Sequence, residues 1–439
     1  MKANARTRSR TGCGPVRTRS QKHLIAIALL LGMSWGIVGA VKGNPQYAKF
    51  SGDWRPGFAG PPVDARPTAI RQTLQRLRAV PNGEFPEVVV REDASEDLTT
   101  LKHQLRELFL QILASNGELE PTQLQALMIE KLKAAAIVTG GAEEDRTFRP
   151  YPGILEIRVE APGGQTNHLA LMTTLGIPCG TDSSLYLFER SAGVWKMVMA
   201  LESDGYVKIS GGQQGIRYSV SPRDSKGNWF AVVTRTPPWC TSVWRVVQWR
   251  VLRPGPDPYA PRELFSRAEG INLGDDEYGD LKTFEKGFRL IFWGSHGFSP
   301  MLLTRAYVEN YLLEGDTVTR KPPYANSPDG FFDEWVSLPW TEAMPLSAQA
   351  GNEAQEWHER LNARYKAGLQ AELEFVQPCK EDRRWQLGFS LYDERAHVHS
   401  EVFATVGLLD GNYALSQIGP TRPKGCPGEA FPGHEGKLP

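Results

Sequence analysis

From Cys179 to Leu252 the chain alternates short β-branched and aromatic runs with turn clusters, and that rhythm restricts it to antiparallel sheet. Leu185 to Phe188, Val194 to Leu201, Ile216 to Val220, Asn228 to Thr234 and Val243 to Leu252 read as strands. Ser191-Ala192-Gly193 and Pro222-Arg223-Asp224-Ser225-Lys226-Gly227 read as turns. In the last strand Val243, Val247, Trp249 and Val251 share a face with Arg245, and Trp244, Val246 and Gln248 lie opposite. Apolar residues on both faces place it inside a sandwich or propeller, not at an open edge. No motif recurs at a fixed period, so a β-sandwich or irregular sheet ranks ahead of a degenerate propeller.

The flanking segments change period. Pro67 opens a helix carrying Ile70, Leu74 and Leu77, and Asn82-Gly83 ends it. A short strand is expected at Val88 to Val90. A second helix runs from about Glu96 to Ser115 and a third starts at Pro121, each with a leucine-rich face. Strands begin again at Ile154 to Val159 and Leu169 to Leu175. Beyond Arg253-Pro254-Gly255-Pro256 they are expected at Arg262 to Phe265, Phe288 to Trp293 and Arg305 to Leu313. Residues 321–351 are rich in proline and aromatics and are expected to cover a seam between domains. Asn352 caps a helix, and strands follow at Glu372 to Val376, Trp385 to Tyr392, His397 to Leu409 and Tyr413 to Ile418, the last two joined by an Asp410-Gly411 hairpin turn.

The reading is therefore α+β, mainly antiparallel β: an N-terminal helical segment, a central β-sandwich or irregular propeller-like β domain, and a C-terminal helix with a four-stranded antiparallel sheet. Boundaries are set at 1–40 for a signal peptide or signal anchor, 41–66 for a linker and 67–140 for the helical module. The disulfide-closed β domain takes 150–345, the α+β module 350–428 and a flexible tail 429–439.

Residues 1–40 hold seven basic and no acidic residues, with an uncharged run of 18 residues from Leu24 to Val41. A basic leader, an apolar run and the small residues Val38-Gly39-Ala40 make an export signal, with cleavage expected after Ala40. Left uncleaved, residues 24–41 are just long enough to anchor the chain in a bilayer. The expected location is secreted or periplasmic, or membrane-anchored through residues 24–41. Without the leader, 43 basic residues face 50 acidic ones, so the body is mildly acidic and a nucleic-acid partner is not expected. Four cysteines remain in that body, Cys179, Cys240, Cys379 and Cys426. In an oxidising compartment an even number favours disulfides, and spacing favours Cys179–Cys240 and Cys379–Cys426.

Candidate chemistry is sparse. His397, His399 and Glu401 alternate on one strand face, the side-chain set of a two-histidine, one-carboxylate metal site. Three such ligands on a straight strand span about 14 Å, too far for one ion. Asp275-Asp276-Glu277, with Asp280, lacks the alternation of a specific calcium loop. Gly294-Ser295-His296-Gly297 has Trp293 two residues before the serine, where a nucleophile elbow needs glycine. Gly163-Gly164 and Gly211-Gly212 are not followed by helices, and no cofactor is expected. Asp182 and Glu334 make a hydrolase pair only if the fold brings them together. Twelve tryptophans are available, and Trp239, Trp244, Trp335 and Trp340 are the ones offered as rings for stacking on a saccharide or protein partner. These residues point first to an exported, non-catalytic binding or scaffold protein of the cell envelope or exterior. An extracellular polysaccharide-directed hydrolase is the alternative.

Overall fold

The computed structural model describes residues 65–80, 90–137, 151–178, 180–203, 206, 216–235, 244–272, 280–295, 297–298, 304–347, 350–369, 371–380, 383–393, 398–423 and 426. Every described residue falls within Ala48–Pro439. The fold is α+β and mainly antiparallel β. Its strands form four four-stranded sheets, each a simple meander in chain order: β1–β4, β5–β8, β9–β12 and β13–β16.

Among the described residues three helices come first: α1 (Arg66–Ala79), α2 (Glu92–Ser115) and α3 (Pro121–Ala134). α2 starts four residues before the expected Glu96, since Glu92 and Asp93 suit the positive end of a helix dipole. Glu120 and Gln123 form a reciprocal capping box that fixes the start of α3. Val90 is described and is not in a strand, and residues 88–89 lie outside the described residues. The leucine faces of these helices are buried together with Leu169, Leu171, Leu175, Tyr186 and Phe188 from one side of the first sheet. That sheet comprises β1 (Ile154–Glu160), β2 (His168–Ile177), β3 (Gly180–Ser191) and β4 (Val194–Leu201).

Side chains alternate along a strand, so the opposite side of β2 and β3 presents Ala170, Met172, Leu185 and Leu187. These pack on Val220, Trp229, Ala231, Val233 and Leu252 of the second sheet and its β5–β6 turn. The second sheet comprises β5 (Arg217–Val220), β6 (Ala231–Arg235), β7 (Trp244–Arg253) and β8 (Arg262–Asn272). Its reverse side offers Val232, Val247, Trp249 and Val251 to Phe288, Leu290, Phe292, Tyr311 and Leu313 of the third. The two-faced apolar pattern of β7 thus has a plain cause: the strand is interior to its sheet, and the sheet has another on each side. Trp249 is fully buried and tilts on Phe292 with ring centroids 5.7 Å apart.

The third sheet comprises β9 (Leu281–Phe284), β10 (Gly287–Ser295), β11 (Thr304–Glu314) and β12 (Thr317–Arg320). Both four-residue edge strands escape the sequence reading, since four residues carry too little alternation to stand out. The Pro-rich interval also holds helix α4 (Pro328–Ser337), started by Ser327, whose hydroxyl accepts from the Gly330 amide. The short α5 (Trp340–Ala343) follows, then α6 (Glu353–Lys366). Asn352 precedes α6 but makes no side-chain cap.

The fourth sheet comprises β13 (Ala371–Pro378), β14 (Arg384–Asp393), β15 (Val398–Leu409) and β16 (Asn412–Gly419). Its inner side buries Leu387, Phe389, Leu391, Val402 and Val406 with Phe331, Phe332 and Trp335 of α4. Asp410 and Gly411 both have positive φ, 50° and 79°, as the two-residue hairpin requires. On the outer side Gly388 leaves room for the Phe375 ring, which a Cβ there would strike. Arg422 lies over that ring and donates to Gln377 and Gln386.

Cys379 and Cys426 are disulfide-bonded, closing 47 residues. A loop of that size limits the unfolded chain, so Cys379→Ser should destabilise by roughly 2–4 kcal/mol. A urea midpoint unchanged by this substitution, under oxidising conditions, would contradict it. Cys179 and Cys240 lie outside the described residues.

Candidate functional site

The densest set of titratable side chains is a series of alternating charges that starts in the second sheet, crosses the third and ends in α4. In order it is Glu269, Arg267, Glu309, Arg320, Glu334, Arg305 and Asp333. Arg267 and Glu269 share a face of β8, Arg305 and Glu309 share a face of β11, and Arg320 ends β12. Arg267 Nη2 lies 2.6 Å from Glu269 Oε1, and its Nη1 lies 3.6 Å from Glu309 Oε2. Arg320 Nη2 is 3.1 Å from Glu309 Oε1, and its Nη1 donates to Glu334 Oε1. Arg305 Nη2 donates to Glu334 Oε2 at 2.9 Å. Its Nε lies 2.7 Å from Asp333 Oδ2 as a charge contact whose N–H direction does not make a hydrogen bond.

Burial and partners set the protonation of this cluster. Desolvation works to raise Glu334, but the attraction of Arg320 and then Arg305 outweighs it and holds the carboxyl below its usual range. At Glu309 desolvation wins and the carboxyl is pushed up, although Arg320 and Arg267 pull the other way. Tyr311 donates its hydroxyl to Glu309 Oε2 at 2.7 Å. The Arg305 guanidinium also sits 3.7 Å from the centroid of the Tyr307 ring. With four carboxylates and three guanidiniums closing on one another, the arrangement fastens layers together. Glu309, Glu334 and Asp333 are buried within it, and Glu269 at its end is half-buried.

A second buried group joins α2 to the first sheet. Lys102 and Arg106, one turn apart on α2, face Asp182 and Tyr186 of β3 and Glu202 just beyond β4. Lys102 Nζ is 3.1 Å from Asp182 Oδ2 and donates to the Ser203 carbonyl. Tyr206 donates to Asp182 Oδ2. Arg106 Nη1 and Tyr186 OH both donate to Glu202 Oε1, at 2.8 and 2.6 Å. Desolvation, then the nearby carboxylates, raise both phenols well above their ordinary value: Asp182 for Tyr206 and Glu202 for Tyr186. Lys102 and Asp182 are 1% and 0% exposed, so the pair is closed to solvent.

Asp182 and Glu334 therefore belong to separate ion-pair groups with no partner in common. His397 lies outside the described residues; His399 is described by its backbone alone, on β15; Glu401 is exposed on the same strand. Val402 and Val406 of that strand turn into the core. Among the described residues no group of three or more His, Cys, Asp or Glu could hold a metal ion. Residues 275–277 and His296 lie outside the described residues, while Asp280 is paired with Lys282 and Arg289. Trp239 also lies outside them, and Trp244 is described only as the first backbone residue of β7. Trp335 is fully buried and stacks on Phe332; Trp340 is half-buried with its ring 5.2 Å from that of His358.

Among the described residues the exposed tryptophan is one that the sequence reading did not single out. Trp293 is 45% exposed, at the end of β10 that β9 does not reach, since their pairing stops at Leu290 and Leu281. Phe288, Leu290 and Phe292 face the second sheet, which leaves Arg289, Ile291 and Trp293 on the outer face. Across the strand pairing stand Asn310, Val308 and Ala306. Ala306, opposite Trp293, is too small to cover an indole. Among the described residues no helix is long and apolar enough to cross a membrane.

The protein matches no protein-family model and no curated protein. A solved structure of a BT0996 complex with RGII resembles it with a TM-score of 0.21 and 11% identity, over 60% of this protein and 73% of that one. So weak a likeness sets neither the fold nor the site.

Proposed function

We propose that this protein is an exported, non-catalytic binding or scaffold protein of the cell envelope or exterior, and that a saccharide stacks on Trp293. The observation that carries the binding reading is a large flat ring, Trp293, exposed on the outer face of β10. Export rests on the basic leader with its apolar run, and the Cys379–Cys426 bond suits an oxidising compartment. The two buried charge clusters serve as internal fasteners, so Asp182 and Glu334 lend no support to a paired-carboxylate hydrolase.

Affinity electrophoresis through gels containing soluble polysaccharides tests the reading. Wild-type protein should be retarded by at least one of them, and Trp293→Ala should weaken that retardation about tenfold, the value of one good aromatic contact. Equal retardation of both proteins, or none across neutral and acidic polysaccharides, removes the Trp293 site. Release of new reducing ends would replace binding with hydrolysis. Sequencing the N-terminus of protein from its native host tests cleavage after Ala40.

A further inference from the structure

The first and second sheets meet at a polar contact centred on Glu189. His168 opens β2 and pairs across the strands with Glu189 of β3. Two donors of the second sheet and an imidazole nitrogen of the first converge on one oxygen, Glu189 Oε1. Arg223 Nη2 donates to it at 2.7 Å, the Trp229 indole N–H donates to it, and His168 Nε2 stands 3.6 Å away, beyond hydrogen-bond length. Arg223 and Trp229 bracket the turn between β5 and β6 of the second sheet. The His168 ring is 2% exposed, sits edge-on to Trp229 with centroids 4.8 Å apart, and finds no hydrogen-bond partner for either nitrogen.

We propose that this contact is an acid-released latch: a proton on His168 transfers the Glu189 carboxylate from Arg223 to the imidazolium and frees the β5–β6 turn from the first sheet. Arg223 Nη2 holds Glu189 Oε1 at 2.7 Å while His168 Nε2 stands 3.6 Å from the same oxygen, so a protonated His168 competes with Arg223 for it. A second, buried cation beside Arg223 is repelled, and departure of the turn relieves that repulsion while leaving Glu189 to pair with His168. The other charged groups around the contact are already engaged or turned to water. Glu160 at the end of β1 accepts from Tyr218 and Arg158, Asp224 is folded onto the amides of Lys226 and Asn228, and Lys196 of β4, across from Glu189, is exposed. Burial, then Arg223, hold His168 below the ordinary histidine value. The latch therefore keeps its full strength above that ordinary value and loses it as pH falls toward the lowered one.

Nuclear magnetic resonance of the full-length protein reads both halves of the proposal. Solvent exchange of the Trp229 indole N–H should quicken about tenfold, beyond its intrinsic pH dependence, as His168 titrates. His168→Phe keeps the packing on Trp229 without a titrating group and should abolish that change. Arg223→Gln should raise the His168 titration midpoint, because it removes the repelling cation and leaves Glu189 available; it serves equally if His168→Phe fails to fold. Exchange that does not change as His168 titrates, the same acid response in His168→Phe, or a midpoint unmoved in Arg223→Gln would each overturn the latch.

Discussion

Glu334→Gln is expected to destabilise the protein by roughly 3–5 kcal/mol, the cost of breaking a buried ion pair from one side. The change keeps the shape of the side chain and removes its charge. Arg305 and Arg320 would remain buried, each with one carboxylate in place of two: Asp333 for the first and Glu309 for the second. Glu309→Gln, two links along the same series, should cost no more than about 1.5 kcal/mol, a single hydrogen bond's worth. The difference follows from the direction in which each carboxyl is displaced. Glu334 is held below its ordinary value, so its charge is stabilised by its surroundings; Glu309 is pushed above, so its surroundings favour the neutral form.

Stability against pH should follow the same signs. The contribution of Glu334 is complete above the ordinary carboxylate value and is lost as pH falls through the lowered one. That of Glu309 is complete below the ordinary value and is lost as pH rises through the raised one. Denaturant midpoints of the two variants across the acidic range check both statements. Equal losses at neutral pH would show that burial alone, and not the pattern of charges, sets the cost.

Lys102→Met should also cost roughly 3–5 kcal/mol, because Asp182 is left with the Tyr206 hydroxyl and no cation in a site closed to water. The double variant Lys102→Met with Asp182→Leu should be more stable than Lys102→Met alone, since neither charge then remains to be solvated. Urea midpoints of the two single variants and the double one complete the cycle. A double variant as unstable as the sum of the singles would mean that the pair carries no coupling and that Lys102 acts through its contact with the Ser203 carbonyl.

Local signals were legible in the amino-acid order, and so was what depends on them. Pro67, Asn116-Gly117 and Pro121 marked helix ends within one to a few residues, and Asp410-Gly411 marked a hairpin, because caps and turns are decided by neighbours along the chain. The two apolar faces of β7 announced a strand covered on both sides. Four-residue β9 and β12 were too short to register, and the prolines of 321–351 masked α4, where Pro328 occupies a helix's first turn without penalty.

The candidate site was much less legible. Twelve identical letters could not say which tryptophan meets water; the side from which the second sheet approaches β10 buries Phe292 and leaves Trp293 outside. Arg106 and Glu202, 96 residues apart, are partners only because α2 lies across the first sheet. The sequence by itself determined periodicity and turn positions, both short-range properties of covalent order. Tertiary structure alone decided which charges neutralise one another and which rings stay wet, because both depend on distances and on water exclusion between segments that chain order does not bring together.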